Sequence, residues 1–364
     1  MQISAAVCRA ADAPVRIENL ELDEPRADEV LVRVVAAGVC HTDLFAPKRF
    51  PLPAAFGHEG AGIVERTGSA VTRVRRGDRV AITFGSCGHC PNCRTEQMAA
   101  CDVGHELQFG GAREDGSTTL RDSAGGVVHG SFFQQSSFAS HALATERNVT
   151  RLPDAMPLEL AGPLGCGIQT GAGAVLNTLA AQPGSNIAIF GVGSVGLAAV
   201  MGAKLARCGR IVAIDINPER LALALEFGAT HALDARAGDV VARLRGIVPR
   251  GMDYSFENAG QVQTYQDAIE CLARKGSCAL ATVPLLARPF PHTPFPILTG
   301  GRKLIGCLEG DSVPERFIPL LAEHYLAGRL PFDRLVKYYD FADVATALDD
   351  ADTQRTIKPI LRMA

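Results

Sequence analysis

Two arrangements of apolar and polar positions divide the chain. In its first third, short runs rich in β-branched residues alternate with glycine: residues 30–36 (Val-Leu-Val-Arg-Val-Val-Ala) and 61–65 predict strands, and Gly57, Gly68 and Gly77-Asp78 mark turns. From about Thr170 the pattern becomes strand, helix, strand, helix, over residues 187–190, 194–207, 211–215 and 218–227. Such alternation predicts right-handed βαβ units on a parallel sheet. Beyond Leu308 it predicts a helix over 315–327 closed by Gly328, a strand near 336–339, a helix from Phe341 and a last strand near 357–361. Residues 110–130, rich in Gly and Ser, read as a surface loop.

Residues 160–203 include no Asp, Glu, Lys, Arg or His, and a membrane span is the alternative to weigh. Ten glycines and two prolines, with Asn177 and Asn186, fit buried strands, turns and helices of a soluble protein better. The chain of 364 residues has room for two domains at about 150 residues each. The fold class expected is α/β, a β-rich domain and a parallel-sheet domain. A net charge of −3 and the lack of a basic run argue against nucleic acid as a partner. Asp12, Arg16 and Glu18 interrupt the start, so a secretory signal is not expected. Eleven cysteines without such a signal point to reduced thiols in a cytoplasmic chain.

Gly191-Val192-Gly193-Ser194-Val195-Gly196 follows an apolar strand and opens a helix, and Asp215 ends the next strand. Glycine permits a tight turn and a close backbone approach, so a pyrophosphate can rest on the helix N-terminus while Asp215 accepts from ribose hydroxyls. A carboxylate there repels a 2′-phosphate, favouring NAD over NADP. Arg220, five residues past Asp215, joins this cofactor set.

Cys87, Cys90, Cys93 and Cys101 bring four thiolates into one loop, a spacing suited to a closed, structural zinc site. Disulfides and an iron–sulfur cluster are the alternatives; for the latter the last spacing is longer than the bacterial ferredoxin run and no proline follows. His89 is a possible substitute ligand. Cys8, Cys208, Cys271, Cys278 and Cys307 read as buried packing.

Cys40-His41-Thr42-Asp43, Gly57-His58-Glu59 and Gly165-Cys166-Gly167 each put a metal-competent side chain near glycine. Taken singly, a buried Cys or a lone His is explained by packing or hydrogen bonding. Together with Gly62, Gly68, Val71, the four-cysteine loop and the nucleotide loop in this order, they resemble the zinc-dependent medium-chain alcohol dehydrogenase family over essentially the whole chain. Residues 38–43, 162–171 and 309–311 ahead of Phe317-Ile318-Pro319 look most similar to its aryl- and allylic-alcohol branch.

The resemblance implies a GroES-like catalytic domain, residues 1–167 plus 309–364, and an inserted Rossmann doubly wound domain, residues 168–308. It implies a catalytic zinc on Cys40, His58 and Cys166, Glu59 as a carboxylate that can visit the metal, and Asp43 as the partner orienting His58. Thr42 matches the hydroxyl that takes the substrate proton. His41 and Lys358 match contacts to the cofactor pyrophosphate, and Thr170 a contact to the nicotinamide. Relatives often carry a relay histidine three residues past the hydroxyl, where this chain has Phe45, so the proton is expected to leave by water or by His41. Phe45, Phe84, Phe132, Phe133 and Leu308 are the pocket candidates; core packing is the alternative for each phenylalanine. The expected reaction is reversible NAD-linked oxidation of benzyl- or geraniol-like primary alcohols to aldehydes, with two zinc ions per chain. A formaldehyde-, polyol- or short-alcohol-oxidising member and a non-catalytic nucleotide-binding relative are the alternatives. A homodimer or homotetramer away from membranes is the expected assembly.

Overall fold

A computed structural model describes residues 1–282 and 294–363. The chain divides into two compact units, Met1–Gly167 with Val313–Gly328 and Phe332–Ala364, and Ile168–Ser312 with Arg329–Pro331.

The first unit is built on two sheets. One runs in the order Ala54–Ala55, Gln2–Cys8, Arg16–Leu22, Leu120–Arg121, Val127–Val128. The other runs Val149–Arg151, Arg79–Ile82, Glu59–Thr67, Glu29–Gly38, Lys358–Arg362, Val336–Asp340, with His141–Thr145 also paired to Glu29–Gly38. Strand Glu29–Gly38 is central, hydrogen-bonded to three others, which explains its nearly unbroken apolar run. Its exception, Arg33, is exposed and faces Glu65. The strands expected at 30–36 and 61–65 therefore exist, each longer than its apolar stretch.

The loop expected over residues 110–130 is only partly one. Leu120–Arg121 and Val127–Val128 form a short hairpin that extends the first sheet, because Leu120 and Val128 bury themselves in its core. Arg113, from the same segment, is buried too. It donates to both carboxylate oxygens of buried Glu29, at 2.6 and 3.1 Å, and to Asp23 at 2.8 Å.

The second unit contains a six-stranded sheet in the order His231–Asp234, Arg210–Asp215, Asn186–Phe190, Met252–Glu257, Leu272–Leu280, Lys303–Gly306. Every pairing in it is parallel. Strand order reverses beside Asn186–Phe190, the crevice where doubly wound sheets take ligands. The uncharged stretch 160–203 becomes short helices, strand Asn186–Phe190 and helix Ser194–Leu205. Among the described residues no helix is long and apolar enough to cross a membrane. Residues 309–312 and 329–331, expected in the catalytic part, belong to this unit instead. The Gly310 carbonyl accepts from Asn177 at 2.9 Å, and Ser312 donates to Gln169 at 2.9 Å, which ties the segment down.

Removing one member of a buried ion pair leaves the other charge unpaired in a poorly solvating interior. Arg113→Met therefore lowers stability by about 3–5 kcal/mol, read as a fall in the urea midpoint, and an unchanged midpoint would show that Glu29 finds water.

Candidate active site

Three segments of the first unit deliver one cluster. Cys40 stands at the end of the central strand's exit, capping helix His41–Phe45; His58 and Glu59 open strand Glu59–Thr67; Cys166 follows the short helical turn Gly162–Gly165. Ligand atoms of Cys40, His58, Glu59 and Cys166 all lie within 4.8 Å of one another. His58 and Glu59 are fully buried. His58 Nδ1 meets Asp43 Oδ1 at 2.8 Å, and the other carboxylate oxygen of Asp43 accepts from the Cys40 N–H at 2.8 Å. One buried aspartate thus fixes both the imidazole and the chain at Cys40. His58 Nε2, by contrast, is buried with no hydrogen-bond partner among the described residues.

Glu59 reaches its position because Gly38 lacks a side chain: a Cβ there would stand 2.1 Å from Glu59 Oε2. Lys358 Nζ donates to both Glu59 oxygens at 2.9 and 3.0 Å and to the Val39 carbonyl at 3.2 Å, and the Gly167 N–H donates to Glu59 at 3.1 Å. Burial pushes the Glu59 carboxyl upward, with Lys358 acting against it. The Cys40 thiol is held well below its ordinary range by hydrogen bonding to Cys166, against burial, with His58 and Lys358 adding to the effect. The Lys358 ammonium is buried in the first unit and paired with Glu59, a partner not expected from the sequence.

The donor set fits a divalent metal. Two thiols, an imidazole and one carboxylate, Glu59, offer ligand atoms within 4.8 Å of one another, and the buried Nε2 of His58 has no hydrogen-bond partner among the described residues. A buried polar atom without a partner is costly, and a metal ion would satisfy it.

Cys87, Cys90, Cys93 and Cys101 form a second cluster, all buried, with sulfurs within 4.8 Å of one another. The Cys87 and Cys93 sulfurs are 3.9 Å apart, against ~3.8 Å for two thiolates on a tetrahedral zinc. Backbone N–H groups of Cys87, Cys90 and Cys93 point at cluster sulfurs, at 3.4, 3.3 and 3.4 Å. Backbone bonds from Asp102 and then Cys93 bring the Cys90 thiol down to about 6. His89 stays outside: its ring meets the Cys87 carbonyl at 3.0 Å and its side chain is largely exposed. Of the remaining cysteines Cys8, Cys271, Cys278 and Cys307 are buried as expected, and Cys208 is half-buried.

The other site residues of the first unit separate into two groups. Thr42 Oγ1 lies 3.9 Å from the Cys40 sulfur, and exposed His41 meets the Phe45 ring edge-on at 4.8 Å. Phe45 itself is 47% exposed. Phe84 and Phe132 are buried in the core, Phe132 among Phe50, Phe56, Phe109 and Phe133 at 5.0–5.8 Å. Phe132 also meets the His58 ring edge-on at 5.5 Å. Phe133 stacks on His58 at 4.4 Å, and half-buried Phe109, which the sequence reading missed, closes on both Phe132 and Phe133.

In the second unit the glycine loop is shaped by steric demand. A Cβ on Gly191, whose φ is +82°, would sit 2.9 Å from the Ala259 nitrogen, and one on Gly196 only 1.9 Å from the Gly191 carbonyl. A Cβ on Gly193 would meet nothing within 4 Å among the described residues, which leaves an approach to the helix N-terminus there, with Val195 in the first turn. Asp215 ends its strand and accepts from the N–H groups of Val192, Ile216 and Asn217 at 2.7, 2.7 and 2.8 Å, which ties the loop to the neighbouring strand. Arg220 lies in the first turn of helix Pro218–Phe227. Thr170 Oγ1 is 3.4 Å from Glu309, and Leu308 is 58% exposed.

Comparison with known proteins agrees with this geometry. Residues 26–154 match the alcohol dehydrogenase GroES-like domain and residues 194–324 the zinc-binding dehydrogenase domain. The chain is 44% identical to geraniol dehydrogenase of Castellaniella defragrans, over 98% of this chain and 96% of that one. An alcohol dehydrogenase zinc-binding domain protein from Burkholderia ambifaria superposes with a TM-score of 0.98 at 49% identity, covering 100% of this chain and 99% of that one. Benzyl alcohol dehydrogenase from Acinetobacter calcoaceticus superposes with a TM-score of 0.96 at 39% identity, each chain covered in full at 100%. With both domain matches, and full-length likeness to enzymes of aromatic and allylic alcohols, the chain belongs to the zinc-dependent medium-chain alcohol dehydrogenase family, in its aryl- and allylic-alcohol branch.

Proposed function

We propose that this alcohol dehydrogenase oxidises aromatic or allylic primary alcohols to aldehydes, reversibly, with NAD⁺ as hydride acceptor and a zinc ion on Cys40, His58 and Cys166. The observation that carries the reading is the buried Nε2 of His58, which has no hydrogen-bond partner among the described residues and stands in one cluster with two thiols. When bound, zinc supplies the Lewis acidity that eases loss of the alcohol proton, and NAD⁺ takes up the hydride. The chain does the rest. Asp43 holds the His58 tautomer that presents Nε2, as outer partners of metal-binding histidines do. Glu59, tethered by Lys358 and Gly167, stands ready as a further carboxylate. Thr42 Oγ1 takes the proton from the substrate hydroxyl. Exposed His41, or water beside it, carries that proton to solvent, since Phe45 has no proton to give.

Gly191, Gly193, Val195 and Gly196 would cradle the pyrophosphate, with Arg220 nearby and Thr170 against the nicotinamide. Asp215 would bind the ribose hydroxyls and disfavour a 2′-phosphate. Phe133, Phe45 and Leu308 are the residues proposed to meet the substrate's apolar part. Cys87, Cys90, Cys93 and Cys101 would hold a second, structural zinc. A cytoplasmic location suits eleven free thiols. A homodimer or homotetramer suits exposed Phe295 and Leu298 on the helix leading into edge strand Lys303–Gly306.

Metal analysis tests the two clusters separately: the purified chain holds about two zinc ions, and Cys93→Ala about one. A single zinc lost entirely in Cys93→Ala would leave the cluster at His58 without metal. NADH formation is expected to be faster with benzyl alcohol, geraniol and cinnamyl alcohol than with ethanol, and NADP⁺ to serve poorly; an ethanol-biased profile would support a short-alcohol enzyme instead. His41→Ala is expected to slow hydride transfer several-fold and to alter its pH dependence. An unaltered profile would assign the proton exit to water alone.

A further inference from the structure

The loop 131–137 is the most contorted segment near the cluster. Ser131, Phe133, Gln134 and Ser136 all have φ between 51° and 58°, in the left-handed region that non-glycine residues seldom adopt. Such backbone persists where surrounding contacts over-determine it, and it gathers at functional sites. Here the contacts converge on Gln135, which is 2% exposed and uses its whole amide. Its Nε2 donates to the His58 carbonyl at 2.8 Å and to the Thr83 carbonyl at 3.1 Å, and its Oε1 accepts from the Gly60 N–H at 3.1 Å. The amide therefore grips the chain on both sides of Glu59. The linkage continues: Thr83 Oγ1 donates to the Gly165 carbonyl at 2.7 Å, and Gly165 precedes Cys166. Phe133 of the same loop lies flat on the His58 ring.

We propose that Gln135 is a positioning residue for the Cys40–His58–Cys166 site, coupling the His58 segment to the Cys166 segment through Thr83 and so setting how firmly the metal is held there. The inference rests on the zinc reading given above. The Gln135 amide and the Thr83 hydroxyl are engaged with backbone groups, so each acts through the backbone it ties. The four-cysteine loop shares none of these bonds and serves as an internal control.

The test uses the zinc-loaded protein challenged with EDTA, comparing Gln135→Met, which keeps the length and loses the amide, with Thr83→Val, which keeps the shape and loses the hydroxyl. Release of zinc from the His58 site should quicken by about 10–100-fold in each variant, with release from the four-cysteine site unchanged. In the double variant the loss should be less than the product of the two, because both cut one linkage. With cobalt in place of zinc, the visible absorption of the His58 site should shift while that of the four-cysteine site stays. Release of both metals at the original rates, or quickened by the same factor, would overturn the inference and leave the zinc reading intact. If the unsubstituted protein holds metal only on the four cysteines, the zinc reading fails and the inference with it. Should Gln135→Met not fold, Thr83→Val decides alone by the same two outcomes.

Discussion

A buried imidazole nitrogen with no hydrogen-bond partner among the described residues, beside two sulfurs and a carboxylate, is the constraint on which the first unit depends. Burying anionic groups together is unfavourable unless cations balance them, and the Lys358 ammonium answers Glu59 while the imidazole of His58 answers Asp43. Much of the local structure makes sense as support for that arrangement. Gly38 leaves room for Glu59, Asp43 orients His58, and the twisted loop around Gln135 fixes the backbone that carries both His58 and Glu59.

The second unit solves a different problem by simpler means. A parallel sheet buried on both faces ends at a glycine loop whose two outer glycines are demanded by packing, and whose middle glycine keeps an approach clear. Asp215 has a double part in this reading, since the carboxylate proposed to bind the ribose also ties the loop to its neighbouring strand. A substitution there would disturb the loop as well as the cofactor preference.

What the sequence revealed followed how local each signal is. The glycine loop and the four cysteines are contiguous, so turn geometry and ligand spacing announce them. The βαβ alternation is also local, and its strands and helices lie close to where the periodicity puts them. Cys40, His58 and Cys166 come together only through the fold, and family resemblance rather than spacing brought them forward. The pairing of Lys358 with Glu59 was not legible, because a lone basic residue carries no sign of a partner on another strand. Gln135 and Thr83 gave no signal: a run of Gln and Ser reads as exposed loop, and only the folded chain shows those polar groups buried and paired. The hairpin within residues 110–130 was missed because two-residue strands are too short for alternation to show.

The central claim is that Cys40, His58 and Cys166 share one metal ion. Anomalous diffraction from crystals of the protein as purified, recorded on both sides of the zinc absorption edge, tests it most directly. The account predicts one zinc peak bonded to those three side chains, apart from a second among the four cysteines. A zinc peak at the four cysteines, with none within bonding distance of His58 Nε2, would contradict it.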